Sequence, residues 1–191
     1  MKRYDIINIL IGKYGYESYL EIGVDDGDCF SRIKAKSKES IDPNKPSTYR
    51  MTSDEFFAIT PGKSYDIIFI DGLHLAEQAE RDIVNSLYIL NPNGTVVVHD
   101  CLPIEEWQQQ RRQVVLGTPW TGDVWKAFAN LRIGRRDLSM LVVDCDWGCG
   151  IIRRGEQVPF PRLPLLDWGC FMRDKQAIMN LISEERFLQC I

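Results

Sequence analysis

Three apolar runs that end abruptly in acidic, polar or glycine residues constrain this chain more than any other feature. Tyr65-Asp66-Ile67-Ile68-Phe69-Ile70 leads into Asp71, Thr95-Val96-Val97-Val98 leads into His99-Asp100, and Tyr19-Leu20-Glu21-Ile22 leads into Gly23. A strand with one wet face alternates apolar and polar side chains, whereas a continuous run needs cover on both faces, the condition of a parallel sheet between helices. Leu75, Ala79, Ile83, Leu87 and Leu90 recur at three- and four-residue spacing, which predicts a helix over His74 to Leu90. The repeated β-α-β order therefore predicts an α/β fold: a doubly wound, mostly parallel sheet with helices on both faces.

Further elements follow from the same patterns. Ile6, Ile7, Ile9 and Leu10 predict a leading helix over Tyr4 to Tyr14, and Ser18 to Gly23 the first strand. Asp25 or Asp26 is placed to cap the helix through Phe30 and Ile33. Ser40-Ile41-Asp42 reads as a short second strand stopped by Pro43, and Asn91-Pro92-Asn93-Gly94 as the turn that ends the long helix. Leu138 to Asp144 and Cys149 to Arg153 read as an antiparallel pair around Asp146-Trp147-Gly148. Only five residues separate Asp42 from the extended segment Thr48 to Thr52, too few for the crossover that a parallel strand needs. Either 48–52 is extended without parallel pairing, or that edge strand is missing.

With 191 residues, 45% of them hydrophobic, the chain suffices for a single domain over 1–191 with its own core. A net charge of -4 offers no electrostatic basis for nucleic-acid binding. No stretch approaches the ~18 apolar residues of a membrane helix, and the first residues read as an amphipathic helix rather than a signal peptide. Six scattered cysteines, at 29, 101, 145, 149, 170 and 190, point to free thiols and a cytoplasmic setting. The spacing of Cys145 and Cys149 suits a metal, but no second Cys/His pair lies nearby to complete a structural zinc site.

In open parallel sheets ligands bind beyond the carboxyl ends of the strands, where strand order reverses. Those ends carry Glu21, Asp42, Asp71, His99 and Asp100, with His74 just after Asp71. Glycines at 23 and 27 permit a sharp turn and close approach of backbone to a ligand. Such a strand-to-helix turn suggests a nucleoside-containing cofactor.

Glu21-x-Gly23-x3-Gly27, Asp42, Phe69-Ile70-Asp71-Gly72-Leu73-His74 and Leu90 to Asp100 with its His99-Asp100 end resemble the class I S-adenosylmethionine-dependent methyltransferases. The resemblance is closest to the small group related to the catechol-type O-methyltransferases and covers about residues 17 to 153. It implies a Rossmann-like sheet of seven strands with an antiparallel last strand, in agreement with the late hairpin. It further implies that Glu21, Gly23 and Gly27 hold the methionine part of the cofactor, that Asp42 accepts both ribose hydroxyls, and that Ser53 and Asp54 contact the adenine. Asp71 is implied at the cofactor and, with His99 and Asp100, at a magnesium or other divalent metal. In the catechol branch a lysine lies three residues after the first acid; here His74 stands there, and an imidazole near its ordinary pKa of ~6.5 is a competent base. His99 is the alternative base, because magnesium prefers oxygen ligands.

The resulting expectation is O-methylation of a hydroxyl on a sugar, glycan or small molecule, with His74 or His99 as base. Segment 101–125, with Trp107, Trp120 and Trp125 among prolines and glycines, is expected to cover the substrate. Trp125 fits better as a core anchor. The extension over 159–191, with a helix expected around Lys175 to Ser183, either covers the sheet edge or makes a homodimer contact. Two other classes compete. A nicotinamide-dependent oxidoreductase wants a third glycine and no carboxylates where Asp25 and Asp26 stand, because they would repel a pyrophosphate. A non-catalytic cofactor-binding protein would have no use for the acids and histidines at the strand ends.

Overall fold

The computed structural model describes residues 1–59, 62–161 and 165–190. Seven strands form one sheet: β1 Ser18–Ile22, β2 Ser37–Ile41, β3 Tyr65–Ile70, β4 Leu90–Val98, β5 Leu138–Val143, β6 Cys149–Arg154 and β7 Leu181–Ile182. Their order is β2-β1-β3-β4-β6-β5-β7. Only β6 runs antiparallel to its neighbours, β4 and β5; every other pairing is parallel. Strand order reverses at β1, which lies between β2 and β3, so the switch point opens beyond Ile22 and Ile70.

Helices cover both faces: α1 Arg3–Tyr14, α2 Asp28–Arg32, α3 Ser53–Ile59, α4 Ala76–Tyr88, α5 Val124–Gly134, α6 Trp168–Ile178 and α7 Glu184–Cys190. The continuous strand runs split between two cores, as a doubly covered sheet requires. Ile68, Ile70, Val96 and Val98 pack with residues of α3, α4, α5 and α6, whereas Ile67, Phe69 and Val97 pack with residues of α1, α2 and α7. Trp125 is fully buried and its indole N–H donates to Gln109 Oε1 at 2.8 Å, the anchor role expected of it. Among the described residues no helix is long and apolar enough to cross a membrane.

Three local expectations change. Residues 91–94 do not leave the sheet as a turn but begin β4, whose pairing shifts register between Tyr65↔Leu90 and Ile67↔Thr95. Gly94 lets this irregularity close, because a Cβ there would lie 2.6 Å from the Asp66 carbonyl oxygen. Segment 48–52 forms a single parallel bridge, Ile41↔Tyr49, so the edge strand is reduced to one contact with β2. The helix expected around Lys175 to Ser183 ends earlier, at Ile178. Asn180 turns left-handed (φ 46°) and donates to the Met140 carbonyl at 2.9 Å, and Leu181–Ile182 then pairs parallel with β5. The C-terminal extension thus covers the sheet edge. Of the range expected for it, 162–164 and 191 lie outside the described residues.

Asp66 ties β3 to its neighbours. Its carboxylate accepts the backbone N–H groups of Glu17 and Ser18, the Ser18 hydroxyl at 2.9 Å and the Asn91 amide at 2.6 Å. Partial burial pushes its pKa up, but these donors outweigh burial and hold it below the usual value. Asp66→Ala is expected to cost about 2–3 kcal/mol in urea unfolding at neutral pH. Because the folded pKa is depressed, the stabilising effect is present above the ordinary ~3.9 and vanishes as pH falls through the folded value, so the two proteins should converge in strong acid.

Candidate active site

The ends of β1, β2 and β3 are laced together. Gly23 N–H donates to the Ile41 carbonyl at 2.9 Å and Asp71 N–H to the Ile22 carbonyl at 2.8 Å. Gly23 is left-handed (φ 88°), and a Cβ on it would lie 2.1 Å from the Asp71 carbonyl oxygen. Its glycine character is therefore explained by the close passage of two strand ends, without reference to a ligand. Gly27 has open space around it and serves as the left-handed N-cap residue of α2. Asp26 Oδ1 accepts the Asp28 N–H at 3.0 Å from the position before the cap, but the N-cap itself is Gly27, without a side-chain cap, rather than the expected Asp25 or Asp26.

A cavity of about 730 Å³ lies beyond these strand ends. Of the residues expected at a site, Gly23, Asp42, Ser53, Asp54, Asp71, His74, His99 and Asp100 line it. Glu21 and Gly27 are not among the lining residues. Glu21 is buried with the Tyr19 hydroxyl on its carboxylate, and burial raises its pKa to about 7.

Asp42 organises one end. Its Oδ2 accepts the Val24 N–H at 3.0 Å, and its Oδ1 accepts the N–H groups of Asn44 and Lys45 at 2.8 and 2.9 Å. Burial raises its pKa, yet these backbone donors lower it overall, so the carboxylate stays charged. Ser53 and Asp54 open α3 beside it. Gln78 on α4 joins them, its amide donating to Ser53 Oγ and Asp54 Oδ1 at 3.2 Å and to Asp82 Oδ1 at 3.0 Å. Asp82 is buried, and desolvation lifts its pKa to about 6.

The other end gathers the titratable groups. His74 Nε2 lies 3.2 Å from Asp100 Oδ2 and 3.6 Å from Asp71 Oδ1, while His99 Nδ1 lies 3.3 Å from both carboxylates. Asp146 Oδ2 stands 3.6 Å from His99 Nε2. Arg3, from the first turn of α1, inserts a guanidinium whose Nη1 is 2.8 Å from His99 Nε2 and whose Nε is 3.8 Å from Asp71. Burial opposes charge on each imidazole, but the carboxylates prevail: His74 is raised to about 8, and His99 well above its ordinary value. Asp71 falls well below the usual carboxylate range because both histidines outweigh its own desolvation.

Residues 119–123 fix His74. Its Nδ1 lies 2.9 Å from the Trp120 carbonyl oxygen, and its ring stacks on the Trp120 indole at 4.9 Å between centroids. Asp123, the N-cap residue of α5, turns its carboxylate away from that helix and accepts the Ala76 N–H of α4 at 2.8 Å. This segment is thereby stitched to the helix that follows His74.

Arg3, Gln78, Asp82, Asp146 and Trp147 also line or border the site, although no sequence pattern singles them out. Arg3 sits at a helix start and Asp146 in a turn, each far in the chain from its partners. Local patterning carries no signal for such contacts. Among the described residues, the grouping that could hold a metal ion is Asp71, His74 and Asp100, whose ligand atoms lie within 4.8 Å of one another. His99, the third ligand implied by the resemblance, is not in that grouping: its Nδ1 lies 3.3 Å from both acids, while its Nε2 faces Arg3 and Asp146. Two carboxylates and an imidazole fit a divalent cation of the magnesium, manganese or zinc kind.

Comparisons with known proteins agree with this architecture. Residues 24–101 match a family model for a methyltransferase domain. No curated protein matches the chain by sequence. The O-methyltransferase TomG of Streptomyces achromogenes, involved in tomaymycin synthesis and solved in complex with SAM, shares the fold at a TM-score of 0.58. It is 14% identical over 80% of this chain and 79% of its own. An O-methyltransferase from Bacillus cereus in complex with SAH aligns at a TM-score of 0.53, 13% identity and 78% of both chains. MycE, a methyltransferase of the mycinamycin pathway solved with Mg, SAH and mycinamycin VI, aligns at 0.51 and 12% identity. That alignment covers 82% of this chain and 50% of MycE. The resemblance drawn from the strand-end motifs is met by both the family match and the fold.

Proposed function

We propose that this chain, built on the class I methyltransferase fold, is an S-adenosylmethionine-dependent O-methyltransferase acting on a hydroxyl of a small-molecule or glycan acceptor, with His74 as the base. The observation that carries the reading is one cavity lined by Asp42 and Asp54 as well as by Asp71, His74 and Asp100. Bound S-adenosylmethionine supplies a methyl group on a sulfonium leaving group, so the protein has chiefly to align the reactants and take up a proton. Asp42, with the Val24, Asn44 and Lys45 backbone it gathers, shapes the wall for the nucleoside, and Ser53, Asp54 and Gln78 continue it. His74 is held ready to act as a base. With Nδ1–H donated to the Trp120 carbonyl, the Nε2 lone pair remains to take the acceptor's proton. Asp71 and Asp100 then stabilise the imidazolium that forms.

Titration calorimetry tests the donor. Wild type should bind S-adenosylmethionine and not NAD, and Asp42→Ala should weaken S-adenosylmethionine at least tenfold, ~1.4 kcal/mol. Unchanged affinity in the variant would remove Asp42 from the cofactor wall.

The compact Asp71, His74 and Asp100 grouping favours a second reading, in which those three residues hold a divalent cation. When bound there, such an ion would lower the pKa of the acceptor hydroxyl, and His74 would be a ligand rather than the base. Turnover that survives exhaustive chelation supports the base reading. Loss restored by manganese or magnesium supports the metal.

A further inference from the structure

The turn between β5 and β6 holds its residues in an unusual way. Asp146 and Trp147 are both left-handed, at φ 41° and 66°, and Gly148 follows at 87°. Glycine adopts such a backbone freely, whereas a bulky L residue is strained in it. The turn has no freedom to relax. Leu102 N–H donates to the Trp147 carbonyl at 2.7 Å and Cys101 N–H to that of Gly148 at 3.2 Å, and a Cβ on Gly148 would lie 2.6 Å from Leu102 Cγ. Nor is the indole part of the core: it is half-buried and lines the cavity. Its neighbour Asp146 meets His99 and Arg3, so Trp147 belongs to the end that holds Asp71 rather than to the Asp42 wall.

We propose that Trp147 is a specificity-determining residue on which the acceptor stacks, and that the acceptor is a hydroxylated six-membered ring with a flat apolar face. The proposal rests on the methyl-transfer reading and adds the shape of its substrate. An indole offers a broad rigid surface to such a ring, and strain retained at a cavity wall is accounted for when the side chain it presents has a ligand to meet. A phenol and a pyranose share this chemistry.

The test compares wild type, Trp147→Gly and Trp147→Phe by thermal unfolding, by calorimetry with S-adenosylmethionine, and by titration with catechol and with methyl β-glucopyranoside. Trp147→Gly should raise Tm by about 2–4 °C, because glycine relieves the left-handed strain. Its S-adenosylmethionine affinity should stay within twofold of wild type, while affinity for the ring falls at least tenfold. Trp147→Phe should keep most of the ring affinity. Whichever ring wild type binds identifies the source. Equal ring binding by wild type and Trp147→Gly overturns the proposal, as does a wild type that binds neither ring. So does a glycine variant that loses stability and cofactor affinity together, which would make Trp147 a packing residue. Wild type that binds a ring through Trp147 but not S-adenosylmethionine would instead refute the methyl-transfer reading and leave the stacking site standing.

Discussion

Gly122→Ala should both destabilise the protein and disable it. Gly122 is left-handed (φ 58°), and an added Cβ would fall 1.8 Å from the His74 carbonyl oxygen and 2.6 Å from its Cβ. Neither neighbour is the free end of a flexible side chain, so the loop or the His74 backbone must move. The backbone penalty and the forced displacement together are expected to cost roughly 2–4 kcal/mol, lowering Tm on the order of 10 °C. Loss of turnover should exceed what instability explains at temperatures where the variant is still folded, because the displaced group carries the imidazole. A variant with wild-type Tm and turnover would show that the close approach is not maintained in solution.

His74→Ala should lower kcat by roughly 10²–10⁴-fold while S-adenosylmethionine affinity stays near wild type. The pH profile makes the assignment specific. Asp71 and Asp100 raise His74 to about 8, so the unprotonated form that can accept a proton gains population as pH climbs through that value. Wild-type kcat/KM should therefore rise up to about pH 8 and level off, and the alanine variant should lack that limb. An identical limb in both proteins would assign the titration to another group. The raised value also corrects the expectation of an imidazole near ~6.5: two carboxylates make His74 a stronger base but leave less of it free at neutral pH.

Much of this is legible in the chain. Tyr65–Ile70 and Thr95–Val98 suit only strands covered on both faces, and the acids that end them must share one edge of the sheet. The β5–β6 hairpin and the core role of Trp125 follow from equally local patterns. Residues 91–94 mislead because Asn-Pro-Asn-Gly is strong turn chemistry; tertiary pairing with Tyr65 and Ile67 overrides it by shifting register. β7 escapes notice because two residues carry no periodicity. Gly23 stands out correctly as a constrained position, but its constraint comes from the Asp71 backbone, which only the sheet brings near. Arg3, Asp82 and Asp146 are invisible in the sequence for a related reason. Each is an ordinary polar residue at a helix start, on a helix face or in a turn, and gains its meaning from partners distant in sequence.

The carbonyl that steadies His74 belongs to Trp120, which together with Pro119 also lines the cavity. Any displacement of Trp120 would strip the imidazole of that anchor. On the proposed reading, the wall of the acceptor's space and the aim of the base are therefore one piece of structure, and a substitution at Trp120 would disturb both.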